Sequence, residues 1–294
     1  KKYKESQPAS QPASQPASQP ASQPASQPAM PKKCPVCFQI VADIIQPVIF
    51  GNDQCILYSE DFRKVLSSIP TGSVSAVITD PPYGSGGNTV KEIKRSSKDK
   101  YVSTNAAYAK LLPDIDGDSI HPTAWKSLMQ DLCLATLHVL QKDGGIFVFF
   151  IDWRNDSALS NIIDESGLTM HGKLAWNKKN CRPRKNGFKQ QIEFIIWGTK
   201  GAMPKHDDPI YLPGIFNYQT LSNKKVHITQ KPLQLMEEIC QIIPPNGTIF
   251  DPFMGSGTTG HAALIQGKKF IGCETVPQYF NTATERLSSL FLKN

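Results

Sequence analysis

No apolar run in this 294-residue chain approaches the length a bilayer requires; the longest obvious one, Ile146 to Ile151, is far too short. No membrane partner is expected. No signal peptide precedes the seven scattered cysteines, which points to a reducing, cytoplasmic setting. Cys34 and Cys37 have zinc-knuckle spacing, yet no second CxxC and no nearby CxxH supplies further ligands, so no metal is expected. An ion shared by two chains through this pair stays open.

Large apolar residues are also missing between Ser6 and Ala29, where the tetrapeptide QPAS repeats. A Pro-rich polar tract cannot offset its ordering entropy, so residues 1–33 are expected to be a disordered tail and residues 34–294 a single domain. The repeat suggests a repeated twelve-base DNA unit, and with no methionine at position 1 the expected natural start is Met30. The tail carries five lysines and one glutamate, so of the formal net charge of +7 only +3 belongs to the rest.

That remaining charge is clustered. Residues 177–190, NKKNCRPRKNGFKQ, hold Lys178, Lys179, Arg182, Arg184, Lys185 and Lys189 without a single acid, and KEIKRSSKDK covers 91–100. Such clusters meet phosphates without making a protein strongly cationic, although solvated loops look the same in sequence.

From Ile56 onward short apolar strands alternate with helices of period 3.6. Strands are expected at Ile56–Tyr58, Val74–Thr79, IFVFFI, LTMHGKLAW, QIEFIIWG, GTIFDPF and KKFIGCE. Helices are expected from Phe62 to Ile69, Trp125 to Leu140, Leu233 to Ile243, across TTGHAALIQG, and from Pro277 to Leu292. This alternation predicts an α/β fold with a mostly parallel sheet covered on both faces. Residues 85–120 are polar and poorly periodic, as in a long functional loop.

Two strand ends carry chemistry. In DPFMGSGTTG, Asp251 to Gly260, a strand runs into glycines and then a helix, so Gly255 and Gly257 let backbone approach a ligand at a helix N-terminus. Seventeen residues beyond Gly257 the next strand ends in Glu274, where an acid can hold ribose hydroxyls. There is no GxxxxGKS, and FMGSG is not GxGxxG, so a nucleoside ligand fits better than a polyphosphate. The other strand end is TDPPYG, Thr79 to Gly84, where two prolines must stop the strand.

Together DPPY (Asp80 to Tyr83), FxGxG (Phe253 to Gly257) and HITQKP (His227 to Pro232) resemble the β-type S-adenosylmethionine-dependent DNA amino-methyltransferases of phage, prophage and restriction-modification systems. The resemblance covers about residues 50–292 and implies a circularly permuted Rossmann-like methyltransferase fold with a seven-stranded, mostly parallel sheet. It implies S-adenosylmethionine as cofactor, held by Asp61, Thr229, Lys231, Asp251, Phe253, Gly255, Gly257, Thr258 and Glu274. It makes Asp80, Pro81, Pro82 and Tyr83 catalytic: Asp80 and the Pro81 carbonyl accept from the base amine, and Tyr83 stacks on the flipped base. Double-stranded DNA is the implied partner, contacted by loops 85–120, 177–190 and 201–226, in a bacterial or phage-infected cell. Aspartate as first residue of the motif favours adenine N6 over cytosine N4. A methyltransferase acting on RNA or protein, and a non-catalytic DNA-binding relative, stay open as alternatives, as do a restriction endonuclease partner and a monomer or homodimer.

Overall fold

The computed structural model describes residues 45–84, 120–181, 185–205, 209–220 and 230–292. The chain divides between Asp43 and Ile44, and every described residue lies in the second unit. Cys34, Cys37, Arg182, Arg184, Thr229 and loop residues 85–119 fall outside the described residues.

The apolar runs become strands: β1 (Val48–Phe50), β2 (Cys55–Tyr58), β3 (Ala76–Thr79), β4 (Gly145–Ile151), β5 (Thr169–Asn177), β6 (Ile192–Lys200), β7 (Ile215–Asn217), β8 (Thr248–Asp251) and β9 (Lys269–Cys273). Helices α1 (Phe62–Val65), α2 (Pro122–Val139), α3 (Asp156–Ser166), α4 (Leu233–Cys240), α5 (Thr258–Ile265) and α6 (Pro277–Ser288) connect them. Proline opens α2 and α6, where its missing N–H costs nothing. Several helices stop earlier than their periodicity suggests: α4 ends at Cys240, α6 at Ser288, and α1 passes into a 3₁₀ turn at Leu66–Ser68. Val74 makes only an isolated bridge to Leu140 ahead of β3.

One sheet results, in the order β1-β2-β9-β8-β3-β4-β6-β5-β7. Its centre, β2 through β4, is parallel, while β6 pairs antiparallel with β4 and β5. Among the described residues the expected count of seven strands is corrected to nine by two three-residue edges: β1 folds back on β2, and β7 adds to β5. Such short pieces lack the alternation that marks a strand in sequence.

Strand β4 is buried along its whole length, as a central strand covered on both faces must be. Its Ile146, Val148 and Phe150 join the core formed with α4, α5 and α6. Phe147, Phe149 and Ile151 join the opposite core, with α1, α2 and α3. Among the described residues no helix is long and apolar enough to cross a membrane.

This topology brings the two marked strand ends together. Strands β3 and β8 are parallel neighbours in register Ala76↔Ile249 and Val77↔Phe250, so both segments leave the sheet side by side at its carboxyl end. The Thr79 hydroxyl donates to Asp251 Oδ1 at 2.6 Å, tying the exits directly. In parallel sheets, ligands bind outside such carboxyl ends.

Candidate active site

After β3 the double proline forces the chain out of the sheet, and two long-range bonds fix where it goes. Trp125 Nε1 donates to the Pro82 carbonyl at 2.8 Å, and Asn155 Nδ2 donates to the Tyr83 carbonyl at 2.6 Å. The turn is thereby clamped by α2 and by the segment that caps α3.

Its side chains enter a network of charged groups. The Tyr83 hydroxyl, with one proton to donate, lies 2.5 Å from Asp80 Oδ1 and 2.6 Å from Glu193 Oε1. Lys231 Nζ pairs with Asp80 Oδ2, and stands 3.1 Å from Glu193 Oε1 and 3.2 Å from Tyr83 Oη. Lys178 Nζ closes the network on Glu193 Oε2 at 2.6 Å. Two carboxylates thus face two ammonium groups, which is what allows so much charge to be held out of water. Burial pushes the Asp80 carboxyl above its ordinary range against the pull of Lys231. For Glu193 the same burial is outweighed by Lys231 and Lys178, so its pKa is lowered. Lys231 loses hydration too, but Asp80 and Glu193 hold its pKa above the usual lysine value.

The second turn is built differently. Asp251 is almost fully buried at the end of β8 and accepts from Phe253 N at 3.1 Å as well as from Thr79. Gly255 and Gly257 take φ of +52° and +74°, a region costly to residues with a Cβ. Glu274, just after β9, braces this turn from below: its Oε2 accepts from Gly255 N at 3.0 Å and its Oε1 from Val276 N at 2.8 Å. Burial raises the Glu274 pKa, and those backbone donors oppose the rise. Arg286 donates to Thr258 Oγ1 at 3.0 Å, fixing the first residue of α5. Phe253 packs edge-on against Phe62, with ring centroids 5.3 Å apart, which holds its ring as a flat wall.

A cavity of about 520 Å³ joins the two turns, a volume in the range of small-ligand sites. Of the residues proposed from sequence, Asp61, Asp80, Pro81, Pro82, Tyr83, Lys231, Asp251, Phe253, Gly255, Thr258 and Glu274 all line it. Asp61 caps α1 and is held there by Arg63, whose Nη2 lies 2.6 Å from its Oδ2. Gly257 sits in the same turn and packs closely on α6, where a Cβ would meet Ala283 at 3.2 Å. Lys178, expected at phosphates, sets its ammonium on Glu193 within the cavity. Lys179, Lys185 and Lys189 are exposed.

Glu193 was missed by sequence reasoning, although a lone acid in the apolar strand QIEFIIWG was its signal. Trp125 and Asn155 gave no such sign, because what they clamp is backbone far away in the chain. The segment 209–220 reaches the site through Thr220, which lines the cavity and whose backbone N–H and hydroxyl both donate to Asn180 Oδ1 at 2.9 Å.

The chain is similar to known proteins in sequence and in fold. Type II methyltransferase M.HinfI of Haemophilus influenzae is 25% identical over 260 residues, spanning 78% of this chain and 67% of its own. The crystal structure of the M1.HpyAVI–SAM complex is 26% identical with a TM-score of 0.57, over 79% of this chain and 98% of that one. The PvuII DNA methyltransferase, cytosine-N4-specific, superposes with a TM-score of 0.59 over 81% of this chain and 92% of its own, and at 19% identity it speaks for the fold alone. Residues 74–285 match the family model N6_N4_Mtase, DNA methylase, and the chain belongs to that family.

Proposed function

We propose that the protein is a DNA methyltransferase that moves a methyl group from S-adenosylmethionine to the exocyclic amine of a base turned out of duplex DNA, with adenine N6 as the target. One observation carries the reading: Asp80 and the Gly255–Glu274 turn open onto a single cavity.

The residues present fit the cofactor. Glu274 keeps lone pairs for ribose hydroxyls beyond the two backbone donors it already accepts, and Gly255 leaves room for close approach. Asp61 and Phe253 border the same space. S-adenosylmethionine, when bound, supplies an electrophilic methyl group on a positively charged sulfur. The likeness to the M1.HpyAVI–SAM complex supports this choice.

The chain's own task is to make a poor nucleophile attack. An amine on adenine or cytosine shares its lone pair with the ring, and acceptors placed on its hydrogens favour a pyramidal nitrogen with that pair freed. Asp80 supplies one acceptor and the Pro81 carbonyl the other, both aimed by a backbone that the prolines, Trp125 and Asn155 hold still. The raised pKa of Asp80 suits it to take up the proton the amine loses once the new bond forms. Tyr83, anchored through its hydroxyl, offers its ring face to the everted base. The exposed Lys179, Lys185 and Lys189 are the groups assigned to DNA phosphates.

Adenine is favoured because aspartate leads the DPPY motif. Incubating the protein with isotopically labelled S-adenosylmethionine and unmethylated DNA, then digesting to nucleosides for mass spectrometry, tests it. Labelled N6-methyladenine is the expected product. Labelled N4-methylcytosine overturns the choice of base, and label found only in RNA or protein overturns the substrate.

A further inference from the structure

Around the group at C6 of a purine or C4 of a pyrimidine, adenine and cytosine share a Watson–Crick edge that guanine and thymine lack. Their exocyclic amine, a donor, sits beside a ring nitrogen that accepts; in guanine and thymine a carbonyl sits beside an N–H. A pocket that reads this edge needs an acceptor and a donor in contact with each other.

Asp80 and Lys231 are such a pair. The Lys231 ammonium has three protons, directed at Asp80 Oδ2, at Glu193 Oε1 3.1 Å away, and at Tyr83 Oη 3.2 Å away. The Tyr83 contact is the longest, and that hydroxyl has nearer partners at 2.5 and 2.6 Å, so this proton is released at least cost. Lys178 balances Glu193 from its other oxygen, so Lys231 can turn without stranding a buried carboxylate. The rings of Phe150, Tyr83 and Trp176 lie 5.0, 5.5 and 5.9 Å from Nζ, enclosing the ammonium and limiting its directions. Only 7% of the Lys231 side chain is exposed, against 23% for Asp80. A cation so dehydrated makes stronger hydrogen bonds than one in water.

We propose that Lys231 is a specificity-determining residue: it donates to the ring nitrogen beside the target amine while Asp80 accepts the amine hydrogen on that side. The proposal rests on the base-methylation reading above. It leaves the other amine hydrogen to the Pro81 carbonyl. Guanine or thymine in the same pose sets an N–H against the ammonium and a carbonyl against the carboxylate, two mismatches at once, and is rejected. The pair does not by itself separate adenine from cytosine, whose amine and ring nitrogen are placed alike.

The test uses duplexes carrying the methylated site in which the target adenine is replaced by 1-deazaadenine or by 7-deazaadenine. The unmodified duplex comes first: if the wild-type protein methylates no DNA, the underlying reading fails, whatever the analogues do. Given turnover, 1-deazaadenine is expected to lower kcat/KM by roughly 10- to 100-fold, the effect of losing one hydrogen bond to a charged donor, while 7-deazaadenine stays near the unmodified value. Removing the ring nitrogen weakens pairing with thymine and eases extrusion, so a loss runs against the bias of the duplex. In Lys231→Met the discrimination between adenine and 1-deazaadenine should vanish, whereas a merely structural lysine would lower both rates alike and preserve their ratio. Equal rates for adenine and 1-deazaadenine in the wild type, an equal loss with 7-deazaadenine, or an unchanged ratio in Lys231→Met overturns the proposal. The wild-type comparison decides even where the variant is too unstable to assay. Should the methylated base prove to be cytosine, 3-deazacytosine takes the place of 1-deazaadenine.

Discussion

Asp251 gives the sharpest stability prediction. It is 2% exposed, beneath the glycine turn, and burial lifts its pKa from an ordinary 3.8 to about 6 despite hydrogen bonds from Thr79, Thr259 and Phe253. Because the folded pKa lies above the unfolded one, the folded state holds a proton that the unfolded state has lost between these values. The group's contribution is therefore fully present below pH 3.8 and disappears as pH rises through 6. At about 1.4 kcal/mol per pH unit the whole effect is about 3 kcal/mol, of which ~2 kcal/mol falls between pH 4.5 and 7. Asp251→Asn keeps an oxygen for Thr79 and Phe253 and cannot ionise. Urea unfolding of both proteins across that interval should show the wild type losing ~2 kcal/mol relative to the variant. Parallel stability curves for the two would refute the burial argument.

Three further expectations follow from the charge network and the basic loop. Glu193→Gln leaves the ammonium groups of Lys231 and Lys178 without their shared carboxylate, and should destabilise the fold by about 3 kcal/mol in denaturant titration. Since the Glu193 pKa is lowered by folding, its stabilisation is present above the unfolded value and fades as pH falls toward the folded one, so the variant's deficit should shrink in acid. Lys185→Ala and Lys189→Ala should each reduce the slope of log affinity against log salt for DNA by about one, whereas Lys178→Ala, altering a cavity-facing group, should leave that slope alone.

Much of this was legible in the sequence because it is local. Two prolines must end a strand, FMGSG must bend sharply, and an acid ending the next strand lies beside that bend, as Glu274 does against Gly255; that the DPPY turn opens onto the same cavity is decided by the pairing of β3 with β8, which no local pattern announces. Uniformly apolar runs such as IFVFFI announced a strand covered on both faces. Helix α3 escaped notice because only Leu159, Ile162 and Ile163 mark its buried face among polar neighbours. Strands β1 and β7 exist through pairing rather than pattern, each three residues long on a sheet edge. The same reason hid the charge network. Lys178 looked like one more cation in a basic loop, and only the pairing of β5 with β6, which places Trp176 opposite Glu193, brings that acid beneath it. Charge in a sequence reports composition, while its partner is decided by register.

The central claim is that one cavity holds both halves of the reaction, with Asp80 serving the base and the glycine turn serving the cofactor. Calorimetric titration of S-adenosylmethionine into Asp80→Ala, paired with single-turnover methylation by the same protein, separates them. Cofactor affinity close to wild type with methyl transfer slowed by at least about 100-fold is the predicted outcome; methyl transfer at the wild-type rate would contradict the claim, as would loss of cofactor binding from a protein that remains folded.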